Sequence, residues 1–399
     1  MNGKNTNSTE PHSGARLGLI SVFGSTFFQL VGYFMLLPLL LLRLKGAEVS
    51  TTVAGLFAAT GWLGVFLMTP FASAATQKMG RRPTLWLAAT LPTVAALGFA
   101  LTDALWIWFL LELISGAASG LRWVLAEAVI AEFSPPEQRG RYVGIFETLV
   151  GTTFVIGPAV LVWVGANNPQ AVWVVIAFTA TGLLWSTLIP KLPAARDADT
   201  ARVGIRGVWH ALLAHPIIML AGFVGGFFES GVTSILPLYG LALGLSAATA
   251  ALLVSASGFG SAVVMLPAGM LADQFSDPGK GRRTLMVAFA AITLIATCVI
   301  PFVAHITWLA WPIVFLWGGA GGSLYTLAMI DIGTREQGIT LVNSTAVLVL
   351  TYTLGGLVAS ATSGALIQWS PTWGFPALLL TVASVGLLAL VRTRQMSNI

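Results

Sequence analysis

The chain has few charged residues. They make up 9% of its 399 residues, whereas hydrophobic residues make up 56%. A soluble protein carries about 25% charged residues, so this chain cannot cover a surface of normal size with groups that water solvates. A lipid bilayer must therefore surround most of it. The net charge of +5 does not indicate nucleic acid, because nearly all basic residues fall in short loops and at the ends.

Cysteine and histidine are also scarce. The one cysteine, Cys298, lies in an apolar run, which excludes a disulfide framework and a cysteine-based metal site. The four histidines lie in tails, loops or span edges, so any proton relay must use carboxylates. No phosphate-binding loop and no catalytic constellation occurs either. We therefore expect no enzyme activity, no cofactor and no metal, and we find no cleavable signal peptide.

Twelve apolar runs are long enough to cross a bilayer, which takes about 20 residues. Twelve spans put both termini on one side, whose loops and ends hold seventeen basic residues against Arg43 and Lys45 on the other. The positive-inside rule then predicts that both termini are cytoplasmic. The predicted spans are 17–42, 52–74, 84–102, 105–131, 142–164, 170–190, 216–239, 246–271, 285–303, 307–330, 338–367 and 373–391.

A basic tripeptide occurs twice, half a chain apart. Gly80-Arg81-Arg82 and Gly281-Arg282-Arg283 are 201 residues apart, and each lies in a loop between two apolar runs. Such duplication indicates two homologous halves, as in transporters built from repeated bundles. We predict an all-α membrane protein with twelve transmembrane helices in two six-helix bundles. The expected boundaries are 1–190 for the N-terminal bundle, 191–215 for a cytoplasmic linker and 216–399 for the C-terminal bundle.

The duplicated loops resemble the major facilitator superfamily. In that family the loop after the second span reads Gly-x-x-x-Asp-x-x-Gly-Arg-Lys/Arg. The first copy here has Ser73 and Gln77 in place of Gly and Asp, whereas the second keeps Gly269 and Asp273 before an insertion. The resemblance implies that these loops switch the conformation of the two bundles. The implied switch residues are Gly80, Arg81, Arg82, Asp273, Gly281, Arg282 and Arg283.

A narrower likeness involves spans 4, 10 and 11. Trp123 and Glu127 in span 4, with Tyr325 in span 10, resemble the bacterial YcaD-like branch of that superfamily. The family fold places spans 1, 4, 7 and 10 around a central cavity. The resemblance therefore implies that substrate meets Gln29, Tyr33, Trp123 and Tyr325, although helix packing or interface anchoring would explain each of the four equally well.

Five charged residues lie well inside the predicted spans: Glu112, Arg122 and Glu127 in span 4, Glu147 in span 5 and Glu229 in span 7. Each costs at least about 2.5 kcal/mol there, so each needs a reason. If all were ionised, the net charge inside would be minus three, which calls for protonated glutamates or a bound cation.

Glu147 lies at a depth in the membrane similar to that of Arg122. Arg122 lies off the helical stripe shared by Glu112, Trp123 and Glu127, so we expect it to pair with Glu147 of span 5. The pair would either hold two helices together or open when a proton or substrate arrives. Glu229 has no charged partner at its depth in the C-terminal half. It is therefore either the proton carrier, alone or with Glu112, or a permanently neutral acid bonded to a neighbour.

The leading hypothesis is a proton-coupled secondary transporter that exports a small organic molecule by alternating access. An uptake symporter for a small metabolite is the alternative in the same class. A transporter fold that has become a sensor or scaffold is the alternative in another class, and the retention of costly buried charges argues against it. The expected partners are a small-molecule substrate, protons and lipid, with no nucleic acid, and the expected state is a monomer.

Overall fold

The structure is a computed structural model of this chain, and it describes residues 10–133, 139–190, 209, 212–213, 216–275, 277–303, 306–335 and 338–396. These residues form twelve helical segments and no strand. Their bounds are α1 Glu10–Gly46; α2 Thr51–Met68, continued by a 3-10 turn (Thr69–Phe71) and by Ala72–Met79; α3 Arg81–Leu101; α4 Leu105–Phe133; α5 Arg139–Val164; α6 Ala171–Thr187; α7 Pro216–Gly226, continued by a π-helical turn (Phe227–Val232) and by Thr233–Ala242; α8 Ala247–Asp273; α9 Pro278–Val303; α10 Thr307–Arg335; α11 Gly338–Trp369; and α12 Gly374–Met396.

Eleven of these segments are long and apolar enough to cross a membrane, and the twelfth, α6, is an apolar helix of 17 residues. Seventeen residues still reach across a hydrocarbon core. The large side chains on the outside are apolar, such as Trp163, which is 85% exposed. An outer surface of this kind requires lipid as its solvent. The predicted all-α membrane fold of twelve helices is therefore confirmed.

Glycines set the distance between neighbouring helices. A Cβ added at Gly64 of α2 would lie 2.6 Å from the backbone nitrogen of Ala117 in α4, and Gly116 of α4 packs against the backbone of Gly61 in α2. In lipid, close backbone packing of this kind holds helices together. At Gly116 the structure shows such packing between helices.

The two six-helix bundles touch through α2 with α11 and through α5 with α8. Thr52 donates its backbone N–H and its hydroxyl to the amide oxygen of Gln368, at 3.0 and 2.7 Å. A Cβ added at Gly55 would lie 2.8 Å from the Cα of Gly364. Thr52 lies in the first turn of α2 and Gln368 in the last turn of α11, so this contact lies at the end of the bundles opposite the termini. It joins the two bundles there.

The expected linker falls almost wholly outside the described residues. Trp209 and Leu212–Leu213 are described and are helical.

Candidate functional site

A cavity lies between the bundles, with about 110 Å³ open to water-sized groups. That is room for several waters or a small organic molecule. Charged groups in its described wall are Arg122 and Glu147 from the N-terminal bundle and Glu229 from the C-terminal bundle. Aromatic rings make up much of the rest: Tyr33, Phe34, Trp62, Trp123, Phe146, Phe154, Tyr325 and Tyr352.

Glu229 projects from the π-helical turn of α7. The turn covers Phe227–Val232, and the carboxyl is buried at 6% exposure. A π turn carries one extra residue per turn and is often found at functional sites. Glycines make room beside it, since a Cβ added at Gly322 of α10 would lie 2.9 Å from Oε1 of Glu229. The local geometry therefore presents a single carboxyl to the cavity.

Tyr352 of α11 is the principal partner of that carboxyl. Its hydroxyl donates to Oε2 of Glu229 at 2.9 Å, and it is also hydrogen-bonded to the hydroxyl of Ser230. The bond is made to a neutral group. This agrees with the expectation that Glu229 has no charged partner in its own bundle. A hydrogen bond to a neutral neighbour is also what the second hypothesis, a permanently neutral Glu229, requires.

Four aromatic rings connect the two bundles across the cavity. The ring of Tyr352 lies 5.5 Å from Trp123, 4.8 Å from Tyr325 and 6.4 Å from Trp62, measured between centroids and edge to face in each case. Trp123 donates its indole N–H to Oε1 of Glu127 at 2.7 Å. Two predicted cavity residues, Trp123 and Tyr325, therefore belong to one cluster, which spans α2, α4, α10 and α11.

Glu147 and Tyr325 lack hydrogen-bond partners among the described residues. Glu147 is half-buried in the cavity wall and interacts electrostatically with Glu127 and Glu229. The hydroxyl of Tyr325 is buried and lies close to Glu127 without reaching hydrogen-bond geometry. No three histidine, cysteine or acidic residues lie together as a metal site would need, within the part of the chain that the structure describes.

The expected ion pair between Arg122 and Glu147 is wrong for this conformation. Arg122 donates to Oε1 of Gln29 in α1 at 3.4 Å. The amide nitrogen of Gln29 in turn donates to the carbonyls of Ala89 in α3 and Thr179 in α6, at 3.0 and 2.8 Å. The side of α4 that carries Arg122 faces α1, which supplies a neutral acceptor there. Gln29 thus serves as an acceptor behind the cavity wall rather than as a wall residue.

Glu112 lies apart from the cavity wall described above. It is buried at 1% exposure, and Tyr33 of α1 donates to its Oε1 at 3.4 Å. Gly61 of α2 leaves the space that it occupies, because an added Cβ there would lie 2.5 Å from the same oxygen. Although Glu112 and Glu127 share a stripe of α4, they are separated by several turns. The two acids therefore belong to different surroundings.

Sequence reasoning missed Tyr352, Trp62 and Ser230. It restricted the cavity to spans 1, 4, 7 and 10, whereas Tyr352 lies on α11 and Trp62 on α2. Ser230 follows Glu229 in the sequence, but its hydrogen bond to Tyr352 depends on the π turn, which the sequence does not reveal. One signal was available, since the chain has only five tyrosines and a tyrosine in mid-span needs a polar partner.

The duplicated basic loops make unequal contacts. Arg282 donates its Nε to Oδ1 of Asp331 at 3.1 Å, and both side chains are buried. In the first copy, Arg82 donates to the carbonyl of Thr187 at 3.2 Å and stacks over Trp86. Asp331, just beyond the predicted span 10, was not among the predicted residues. The side chains of Asp273 and Gln77, which sequence reasoning contrasted, lie outside those described.

The glycines of the two loops also differ. Gly80 precedes α3 with a φ of 85°, in the left-handed region that favours glycine. Gly281 packs against Phe275, whose ring would lie 2.6 Å from an added Cβ. The first copy therefore needs glycine for its backbone and the second for its packing.

Twelve apolar helices in two bundles around a central cavity are the architecture of a membrane transporter. A sequence profile of the Major Facilitator Superfamily matches residues 22–345, and the chain belongs to that family.

Relatives and a solved structure agree with this assignment. The chain is 24% identical to the uncharacterized MFS-type transporter YfkF of Bacillus subtilis (strain 168) over 367 residues, which cover 88% of this chain and 90% of YfkF. It is 25% identical to the uncharacterized MFS-type transporter YcaD of Salmonella arizonae over 369 residues, or 88% of each chain. A crystal structure of a D-xylose-proton symporter superposes with a TM-score of 0.74 at 16% identity, over 94% of this chain and 96% of the symporter.

Proposed function

We propose that the protein is a proton-coupled secondary transporter that exports a small organic molecule across the bacterial inner membrane. In this proposal two bundles, 1–190 and 216–399, rock about the cavity, and both termini are cytoplasmic. The chain acts as a monomer. The family supports transport, and the similarity of the fold to a proton symporter is compatible with proton coupling.

The observation that carries the proposal is the surroundings of Glu229. Its carboxyl is buried in the cavity wall, and its described hydrogen-bond partner is the hydroxyl of Tyr352 rather than a cation. Glu147 faces it from α5, and the acid of Glu127 and the hydroxyl of Tyr325 lie near both. Several acids in one low-dielectric space cannot all be ionised without compensation. Proton uptake supplies that compensation.

Coupling follows if hydration of the cavity alternates. When the cavity opens to water, ionised Glu229 is solvated, and when the cavity closes, the carboxyl must be neutral or paired. A carboxylate that holds a proton cannot simultaneously pair with a positively charged substrate. Exchange of one for the other is antiport, so an inward proton gradient would drive substrate outward.

The test uses full-length protein in proteoliposomes with a pH-sensitive dye. Compounds that stabilise the purified protein against heat, drawn from a panel of cations, neutral molecules and anions, are assayed for uphill movement and for counterflow. Glu229→Gln should lose uphill movement, because glutamine mimics the protonated acid and cannot exchange a proton. It should keep counterflow when the compound is supplied at a concentration that saturates the weakened site. With one proton per molecule, the wild type should build about a tenfold gradient per pH unit.

Glu112→Gln is the matched control, because Glu112 is equally buried yet lies apart from the cavity wall. It should retain uphill movement if Glu229 alone carries the proton. Normal uphill transport by Glu229→Gln would contradict the assignment. If no compound moved in the wild type while several bound, the chain would be a sensor rather than a transporter.

A further inference from the structure

The composition of the cavity wall indicates what kind of molecule it can hold. We define the acid–aromatic wall as Glu147, Glu229, Trp62, Trp123, Tyr325 and Tyr352, all of which line the cavity. Its two carboxylates face one guanidinium, that of Arg122, and Glu127 adds a third carboxylate behind Trp123. Because Arg122 already donates to Gln29, the acidic groups outnumber the basic one on the open side of the wall.

The rings of the wall surround the space that a cation would occupy. Trp62, Trp123, Tyr325 and Tyr352 all line the cavity, and Tyr352 meets Trp123 at an interplanar angle of 85° and Trp62 at 69°. Cations bind aromatic faces within about 6 Å of a ring centroid. Carboxylates beside aromatic rings are the surroundings that suit an organic ammonium group.

The hydroxyl of Tyr325 is a further polar group of the wall. The side chain of Tyr325 is 3% exposed, lines the cavity, and has no hydrogen-bond partner for its hydroxyl among the described residues. Buried hydroxyls are normally satisfied by protein, water or ligand. Because Tyr325 belongs to the acid–aromatic wall, a bound molecule or a water beside it could form a hydrogen bond with this hydroxyl.

Other substrate classes fit less well. A sugar or nucleoside requires several amide or hydroxyl partners. The described wall contains no asparagine or glutamine. Of its hydroxyls, those of Ser230 and Tyr352 bond to each other, and that of Tyr352 also bonds to Glu229. The hydroxyls of Thr26, Tyr33, Ser119 and Tyr325 are the others. An anion would meet Arg122 but also the repulsion of Glu147 and Glu229.

We infer that the cavity binds a small organic monocation, an amine or quaternary ammonium with a compact apolar body. Its charge lies against Glu147 and Glu229, and its body lies against Trp123, Tyr325 and Tyr352. The cavity volume of about 110 Å³ is compatible with a small molecule in this conformation. The transport consequences of this inference rest on the proposed function, but binding can be tested separately.

The binding test uses three molecules of one shape. Choline, 3,3-dimethylbutan-1-ol and 3,3-dimethylbutanoate share a head of three methyl groups and differ in charge. Binding to purified full-length protein is measured by tryptophan fluorescence and thermal stabilisation at matched ionic strength. We expect choline to bind at least about tenfold more tightly than the alcohol, because a desolvated cation–π contact favours the cation, and we expect the acid to bind least.

Variants locate the site. Glu147→Gln, Glu229→Gln and Trp123→Leu should each weaken choline binding by about tenfold, and Tyr325→Phe should weaken it less. Asp103→Asn, in an exposed loop, and Trp163→Leu, on the lipid face, are the matched controls and should leave binding unchanged. Folding of each variant is checked by its thermal transition.

Three results would overturn the inference: the alcohol or the acid binding as tightly as choline, choline affinity unchanged in both glutamate variants, or no choline binding at all. Proteoliposomes separate this outcome from failure of the proposed function. If choline binds and crosses without moving protons, the substrate class stands and proton coupling fails. If a neutral compound drives proton flux and choline does not, coupling stands and the class fails.

Discussion

The buried ion pair between Arg282 and Asp331 allows a quantitative prediction about the second Gly-Arg-Arg loop. The two groups lie 3.1 Å apart, and their side chains are 7% and 4% exposed. Replacing either partner breaks this buried pair, which typically costs about 3–5 kcal/mol. Asp331→Asn should therefore lower the free energy of unfolding by about that amount, and Arg282→Gln should do nearly the same.

The double variant distinguishes pairing from a general loss of packing. If the charges stabilise each other, Arg282→Gln with Asp331→Asn should lose clearly less than the sum of the single losses. Unfolding in mild detergent is followed by tryptophan fluorescence as SDS is titrated. A loss below about 1 kcal/mol in the single variants would refute the reasoning, because solvent-exposed pairs contribute that little. Strictly additive losses would also refute it, because additivity means that the two charges do not interact.

An exposed pair in the same loop provides the control. Lys280 and Asp277 lie 3.9 Å apart, and their side chains are 77% and 55% exposed. The pKa of Asp277 is lowered, mainly because the backbone N–H of Lys280 donates to its carboxylate. A lowered pKa means that any stabilisation is present at neutral pH and is lost only on acidification. At pH 7, Asp277→Asn should produce no measurable change, because water screens such a pair.

Three further outcomes are expected. A reporter that is active only outside the cytoplasm, fused after the last residue, should give no signal, and a strong signal would contradict the predicted topology. Tyr352→Phe should lower kcat/KM about tenfold or more by removing a hydrogen bond to an acid, whereas Tyr239→Phe, which removes a buried hydroxyl without a described partner, should not. A double-mutant cycle for stability should show coupling between Arg122 and Gln29, and additivity there would exclude that contact as a stabilising one.

Much of the fold could be predicted because lipid imposes strict rules. A span must be long, apolar and internally hydrogen-bonded, so twelve spans could be counted from hydropathy alone. Repetition of Gly-Arg-Arg at 201 residues indicated two bundles. Hydropathy did not reveal the non-α turns inside helices α2 and α7. The π turn over Phe227–Val232 depends on how α7 packs against its neighbours, and hydropathy carries no record of that.

For the candidate site, too, the sequence could identify some residues but not their contacts. Acids inside spans are conspicuous in a chain with 9% charged residues, so Glu229 and Glu147 could be selected by their cost alone. Their partners could not be selected, because a partner depends on the rotation and depth of another helix. Depth in the sequence favoured Glu147 for Arg122, whereas α1 presents Gln29 to it.

By itself, the sequence determined the solvent, the number of spans, the predicted sidedness and the presence of costly acids, since each depends on composition along one chain. Tertiary structure alone decided that Tyr352 bonds to Glu229, that Glu112 lies apart from the cavity wall and that Asp331 neutralises Arg282. These contacts join residues far apart in the chain. Helix rotation and close glycine packing establish them, and a shift of one residue would turn a side chain by about 100° to another neighbour.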